Sequence, residues 1–374
     1  MNVKFRRYDL DWLRVVVFSL LIFYHVGMFF VPWGWHLKNN IIYDWLRWPM
    51  LFLNQWRLPI LFLISGMGTY YALSKRNIWQ FNKERILRLG LPLVFGMLVI
   101  VPPQVYVERL AENQFQGTYL EYLCTVAYDG IYPIGNISWH HLWFLPYVLV
   151  FSILLSPIFL YLKNKKTKLI DWTKRLIEKP LGLYIFIVPL YVLEAFLEPF
   201  YDITHDLITD WFNFTSSMTL FFFGFVLVAN EKTFWGALEK IWQKALLCGI
   251  LCFIGLLIIW QFEDGYLRHF TEAFLKIVNL WSWILVLLGF ASKHKNKPSK
   301  YLSYANRSVY PFYILHQTVT IVLAYYLMNL NWGLALKALV LVLGTFGICW
   351  LIYHFIILKI RMLQPLFGLK KKSL

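Results

Sequence analysis

Charge is scarce in this sequence. Only 15% of its 374 residues are Asp, Glu, Lys or Arg, against 59% hydrophobic, and the acidic residues number just 20. A soluble globular domain needs more polar surface than this, so the balance excludes one and points to a polytopic membrane protein. Cysteine is scarcer still: Cys124, Cys248, Cys252 and Cys349 are the only four. They form no disulfide framework. The one close pair, Cys248 and Cys252, sits a helical turn apart without His or Cys neighbours and reads as packing, not as a metal site. No HExxH, Cys-x-x-Cys-His, G-x-S-x-G or P-loop pattern occurs. That leaves no signal for a zinc hydrolase, a c-type haem, a hydrolase nucleophile elbow or a phosphate-cradling NTPase. Repeats, low-complexity tracts and a soluble appendage are also missing, so the expectation is a single integral-membrane domain over residues 1–374. The first apolar stretch is too long for a cleavable signal and lacks an Ala-x-Ala site, and it is read as a retained first span.

What the chain has in abundance is long hydrophobic runs. Ten are long enough to cross a bilayer, near residues 12–31, 50–73, 89–107, 142–162, 181–197, 212–230, 244–261, 272–291, 309–328 and 333–357. The fifth is interrupted by Pro189 and Glu194. Helices satisfy their own backbone hydrogen bonds in lipid, so the predicted fold is all-α with about ten transmembrane helices.

The net charge of +16 would suit nucleic acid, but its distribution argues against that partner. Basic residues collect at alternate ends of the spans: Lys4, Arg6 and Arg7; Lys75 to Arg88; Lys163 to Lys179, including Lys166; Lys232, Lys240 and Lys244; Lys293 to Arg307; and Lys370, Lys371 and Lys372. The intervening loops carry mostly carboxylates, such as Glu112, Asp206 and Asp264. This is the positive-inside pattern, and it predicts a multi-pass membrane protein with both termini cytoplasmic. The longest outward loop, 103–141, is rich in Tyr, Trp, Asn and Gln. Such side chains serve either to stack on and hydrogen-bond a polar ligand or to form an interfacial aromatic belt.

Within the first span stand Arg14 and His25. An ionisable residue inside a membrane is expensive and is presumed functional until a structural partner is found. Eleven residues at about 100° each bring both side chains to one helix face, roughly 16 Å apart along the axis. One face therefore carries a fixed cation near the cytoplasmic surface and a titratable imidazole deeper in. A neutral imidazole in a low-dielectric site is a candidate general base for a hydroxyl. Arg85 and Arg88, three apart at the start of the third span, can address one anion or simply anchor the helix. Arg57, at the outer end of the second span, is a candidate partner for an acidic residue or an anionic acceptor. Ser65, Gly66 and Gly68 make a small-residue patch that allows close helix approach or leaves room for a slender ligand. His140, His141 and Trp143 open the fourth span, and Tyr313 and His316 share a face of the ninth. Several histidines raise the question of haem or metal, but without a ligand motif no metal is predicted.

These segments resemble the integral-membrane acyltransferase 3 family. Its Arg-x10-His signature corresponds to Asp11–Trp12–Leu13–Arg14 through Tyr24–His25, and its Ser-Gly-Phe segment to Ser65–Gly66–Met67, with Met for Phe. Arg85–Ile86–Leu87–Arg88, His141–Leu142–Trp143–Phe144–Leu145 and Tyr310–Pro311–Phe312–Tyr313–Ile314–Leu315–His316 match later landmarks, and the resemblance covers essentially the whole chain. Trp33 to His36 and Asn54 to Pro59 look closest to the branch containing the osmoregulated periplasmic glucan succinyltransferase. The resemblance implies an O-acyltransferase that takes an acyl group, acetyl or succinyl, from cytoplasmic acyl-CoA to a carbohydrate hydroxyl outside. It implies CoA phosphates at Arg14, Arg85 and Arg88, and His25 as general base or as an acyl carrier. Asp11 either orients Arg14 or lies at the surface. No permanently bound cofactor is expected, and the partners are membrane lipid, acyl-CoA and the carbohydrate acceptor. A homo-oligomer or a periplasmic partner stays open. A transporter or flippase for a polar glycan would use the same intramembrane charges, and haem-based electron transfer is a third reading.

Overall fold

The computed structural model describes residues 6–74, 76–165 and 167–370. Lys4, Lys75, Lys166, Lys371 and Lys372 of the basic segments lie outside the described residues. Among the described residues the chain is helical and forms no strand. In order come α1 (Tyr8–Met28), α2 (Arg47–Leu73), α3 (Ile78–Ala111), α4 (Tyr119–Thr125), α5 (His140–Asn164), α6 (Lys168–Ile177), α7 (Gly182–Phe200), α8 (Trp211–Ala229), α9 (Glu231–Ile259), α10 (Tyr266–Lys295), α11 (Lys300–Leu327) and α12 (Leu334–Ile357). Nine of these, all but α4, α6 and α11, are long and apolar enough to cross a membrane. The ninth expected span, 309–328, is present as the 28-residue α11. It is less apolar than the others because its middle carries Tyr310, Tyr313, His316 and Gln317.

The helices also run beyond the hydrophobic runs. The third run, 89–107, lies within α3, which continues to Ala111, so the outward segment 103–141 is partly helical. Proline explains much of the backbone detail in α3. A proline at position i withholds the N–H that would serve the carbonyl at i−4. Pro92 thus leaves the Arg88 carbonyl, which accepts from Tyr310 Oη at 3.1 Å, and Pro102 leaves that of Leu98, which accepts from Tyr128 Oη at 2.9 Å. In α5, Pro157 leaves the Ile153 carbonyl to Ser156 Oγ at 2.9 Å. Hydroxyls re-satisfying such carbonyls are what a low-dielectric setting demands. Just before or across each α3 proline the helix widens into π turns, at Ile86–Gly90 and Gly96–Ile100.

The contacts divide the chain into two compact units. The first comprises Met1–Arg14, Phe52–Lys83 and Tyr147–Leu302. Here α2 and α8 approach closely enough to exclude side chains between them. A Cβ on Gly66 would lie 1.8 Å from the Phe221 carbonyl oxygen, and one on Gly224 would lie 1.9 Å from that of Leu63. The Ser65–Gly66 patch is thereby used for helix packing at Gly66. Arg7 lies over the Trp235 ring at 3.6 Å, pairs with the fully buried Asp9 and donates to Ser292 Oγ at 3.1 Å.

The second unit comprises Val15–Leu51, Glu84–Pro146 and Ser303–Leu374. Its apolar core joins Val26, Phe29 and Phe30 to Val107, Ile321 and Leu341. The orphan carbonyls at the end of α1 are collected by one cation: Lys38 Nζ donates to the carbonyls of Met28 (2.6 Å), Val31 and Trp33 (2.8 Å). Lys337, fully buried in α12, donates to Asn39 Oδ1 at 2.6 Å and Asn40 Oδ1 at 3.0 Å. Two lysines thus pin the segment that follows α1.

Candidate active site

His25 and His316 meet in the second unit. His25 Nδ1 lies 2.8 Å from His316 Nε2, with the rings nearly parallel at 15°. The tautomers follow from the next hydrogen bond along. His316 Nδ1 lies 2.8 Å from the Tyr313 carbonyl and 3.2 Å from that of Phe312. Carbonyls only accept, so Nδ1 of His316 carries the proton and its Nε2 accepts from His25 Nδ1–H. In the neutral pair, Nε2 of His25 is therefore the basic nitrogen. His316 is fully buried, whereas His25 is only partly so. His25 is thus an imidazole whose orientation is set by a second, inaccessible group, a geometry compatible with a general base.

Around this pair α5 is tied to α11. His141 Nε2 donates to the Ile314 carbonyl at 3.0 Å, and Tyr313 Oη returns to the His141 carbonyl at 2.6 Å. The rings of His141 and His316 meet edge to face, 5.2 Å between centroids. Trp143, in the same first turn of α5, is buried. The structure therefore brings together His25, His141, Tyr313 and His316 out of the residues expected from sequence. Arg85 and Arg88 also belong to this unit, but Arg85 immediately precedes the first π turn and Arg88 lies within it. A wider turn advances fewer degrees per residue, so the two side chains diverge more than a three-residue α-helical step would give. Arg85 is half-buried and Arg88 exposed.

Asp11, Arg14, Arg57, Ser65 and Gly66 belong to the first unit. Asp11 is buried and accepts from Arg6, at 2.7 Å, and from Arg14 Nη1 at 3.3 Å. Asp11 is thus not a surface residue and lies within reach of Arg14. The guanidinium of Arg14 passes Gly68, where a Cβ would stand 3.4 Å from Nη2. Arg57 is buried in α2.

Sequence reasoning missed a second polar cluster in the unit that holds His25. Glu108, buried in α3, is hydrogen-bonded by His36 Nδ1 through one oxygen and by Tyr132 Oη, at 2.8 Å, through the other. Burial and this carboxylate push the Tyr132 phenol well above its ordinary range. His36 Nε2 accepts from Gln317 Nε2 at 3.2 Å; Gln317 also donates to Gln104 Oε1 at 3.2 Å, and Gln104 to Thr318 Oγ1 at 2.6 Å. His140 packs its ring edge to face against His36 and Tyr132 and holds a left-handed backbone, φ 39°. The signal for Glu108 was its place at the edge of a hydrophobic run, one residue past the apparent end. Among the described residues no group of three or more His, Cys, Asp or Glu side chains is set to hold a metal ion.

Comparison with known proteins points the same way. A family profile described as an acyltransferase domain, the acyltransferase 3 family, matches residues 7–354. The chain is 23% identical to the glucans biosynthesis protein C of Escherichia coli O6:K15:H31 (strain 536), over 97% of this chain and 94% of that protein. The protein of the same name from Escherichia coli K12 matches with the same identity and coverage. No solved structure matches. With its profile match running almost end to end, the chain belongs to the acyltransferase 3 family.

Proposed function

We propose that this protein moves an acetyl or succinyl group from cytoplasmic acyl-CoA to a hydroxyl of an extracytoplasmic glucan, with His25 as the general base. The observation that carries the reading is the His25–His316 hydrogen bond, which leaves Nε2 of His25 as the proton acceptor. In the proposed step the acceptor hydroxyl oxygen attacks the thioester carbonyl while its proton passes to His25 Nε2. The C–S bond breaks as the C–O ester bond forms. CoA leaves as thiolate and takes the proton back from the imidazolium, which resets the base. A covalent acyl-imidazole is the alternative route through the same nitrogen.

Arg14, Arg85 and Arg88 are the cations assigned to the donor's phosphates. The carbohydrate acceptor is favoured by the name of the E. coli relatives and by the aromatic and amide side chains of 103–141. The alternation of Lys and Arg supports an inner-membrane location with both termini cytoplasmic. The test is a sided assay. Protein in sealed vesicles receives acyl-CoA on the face bearing the basic loops and a periplasmic-type glucan on the other. The reading expects the glucan to gain ester mass, which also identifies the acyl group. Glucan crossing the vesicle membrane without thioester loss would replace it with transport.

A further inference from the structure

A cleft lies wholly within the first unit, far along the chain from the histidine pair. It has a volume of about 530 Å³ and is bounded by α9 on one side and the turn between α6 and α7 on the other. Lys232, Lys240 and Lys244 line it from α9 and Lys179 from the turn. On α9, positions 232, 236, 240 and 244 are each four apart and so form one face of the helix. The second of them is Gly236, where an added Cβ would meet nothing within 4 Å, so the wall between the lysines is bare. The opposite wall is built, not loose. Gly182 N donates to the Lys179 carbonyl at 3.0 Å, and Leu181 takes a left-handed φ of 61°. A Cβ on Gly182 would stand 1.7 Å from the Leu176 carbonyl, so only glycine lets this turn fold back on α6. The single carboxylate in the lining, Glu178, lies 3.9 Å from Lys174.

Three features set this cleft at a lipid head-group level. First, α9 carries no charge from Ala245 to Ile259, about 22 Å of apolar helix at 1.5 Å per residue, and Lys244 stands immediately before it. Second, α6 is an amphipathic helix whose Trp172 and Leu169 remain 48% and 37% exposed beside Lys174 and Arg175, the make-up of a segment lying in the interface plane. Third, the lining mixes its lysines with Ile177, Leu183, Ile241 and the exposed Leu181, so a phosphate and the start of an acyl chain both find suitable walls. We propose that this cleft binds the head group of an anionic phospholipid, its phosphate among Lys232, Lys240 and Lys244 and its acyl chains descending past Leu181 and Ile241. Basic pockets between membrane helices are suited to this role. The shared chemistry is a phosphate anion, and the apolar wall selects the lipid over a soluble phosphate.

The full-length protein in phosphatidylcholine nanodiscs, doped with phosphatidylglycerol, is extracted and its retained lipids are counted by native mass spectrometry. The expected result is preferential retention of phosphatidylglycerol, reduced about tenfold or more in Lys232→Gln/Lys240→Gln/Lys244→Gln. A control with the same loss of charge elsewhere in the unit, Lys293→Gln/Lys297→Gln/Lys300→Gln, retains the preference. Gly236→Leu, which fills the cleft and keeps every charge, lowers retention as the triple variant does. No preference in the wild type, or equal loss in the control, overturns the proposal. Displacement of the lipid by inorganic pyrophosphate or CoA at low millimolar concentration would make this a soluble-phosphate site and also overturn it.

Discussion

His316 Nε2 accepts a hydrogen bond from His25 Nδ1 at 2.8 Å, and its own Nδ1 is committed to the Tyr313 carbonyl. In the neutral pair His316 therefore has no second tautomer open to it. The proposed mechanism makes it a positioning residue. In His316→Leu the acyl-transfer kcat falls by about 10²-fold or more while KM for the donor changes little. His316→Gln, whose amide oxygen can stand where Nε2 stood, restores part of the rate. Loss of donor binding together with rate would assign His316 to the fold instead.

The donor's phosphates give a second test. Arg85→Ala and Arg88→Ala should each raise KM for acyl-CoA by roughly tenfold, the weight of a charge-assisted hydrogen bond. An acyl-pantetheine donor has no phosphates, so its KM should be unaffected by either change. Equal effects on both donors would remove the arginines from phosphate binding.

The buried carboxylate of Glu108 is held by His36 and Tyr132. Tyr132→Phe should lower stability by about 1 kcal/mol, and Glu108→Ala by roughly 3 kcal/mol, because it strands His36 and Tyr132 together. Thermal unfolding in detergent measures both. In the double variant the effects should fall well short of additive, since the two changes break one network.

Helix approach at Gly66 is tested by its smallest replacement. The Cβ of Gly66→Ala meets the Phe221 carbonyl, a backbone atom that can yield only by moving α8. The expected loss is at least about 1–3 kcal/mol. Gly34→Ala, with nothing within 4 Å of its Cβ, serves as the neutral comparison.

The loop before α8 should respond to acid. Burial holds the His205 imidazole down at about 4, against the opposing pull of the Asp210 carboxylate. The unfolded chain, with an ordinary value of 6.5, binds the proton first as pH falls. Stability from this group is therefore complete above about 6.5 and is lost between there and 4. His205→Asn, compatible with the left-handed φ of 60° at this position, should flatten that part of the pH–stability curve. Limited proteolysis of 201–210 at pH 7.5 and 4.5 provides the readout.

The parts of this architecture that depend on local pattern could be read from the chain. Hydrophobic runs located the helices, and Arg14, His25, Tyr313 and His316 stood out because a polar group in an apolar run is conspicuous. The pairing of His25 with His316 could not be read, because 291 residues separate them and no spacing rule joins one helix to another. Glu108 was hidden by its position: the apolar run stops at 107, while the helix continues and buries the carboxylate against His36. Gln104 and Gln317 are neutral amides whose value lies only in what they meet. The π turns of α3 depend on how the freed carbonyls are served, which the positions of Pro92 and Pro102 hint at but do not determine. α11 reads as weakly apolar because its middle carries Tyr310, Tyr313, His316 and Gln317, each of which meets a polar partner on another helix.

The proposed mechanism gives His25 the removal of the acceptor's proton. Wild-type protein and His25→Ala are reconstituted in liposomes, and thioester loss from acetyl-CoA and succinyl-CoA is followed with and without a periplasmic-type glucan. Glucan-dependent cleavage of at least one donor by the wild type is expected. In the variant, still folded and still binding CoA, the rate should fall about 10²–10⁴-fold, the contribution of a positioned general base. Cleavage at the wild-type rate by His25→Ala would remove His25 from the proton transfer.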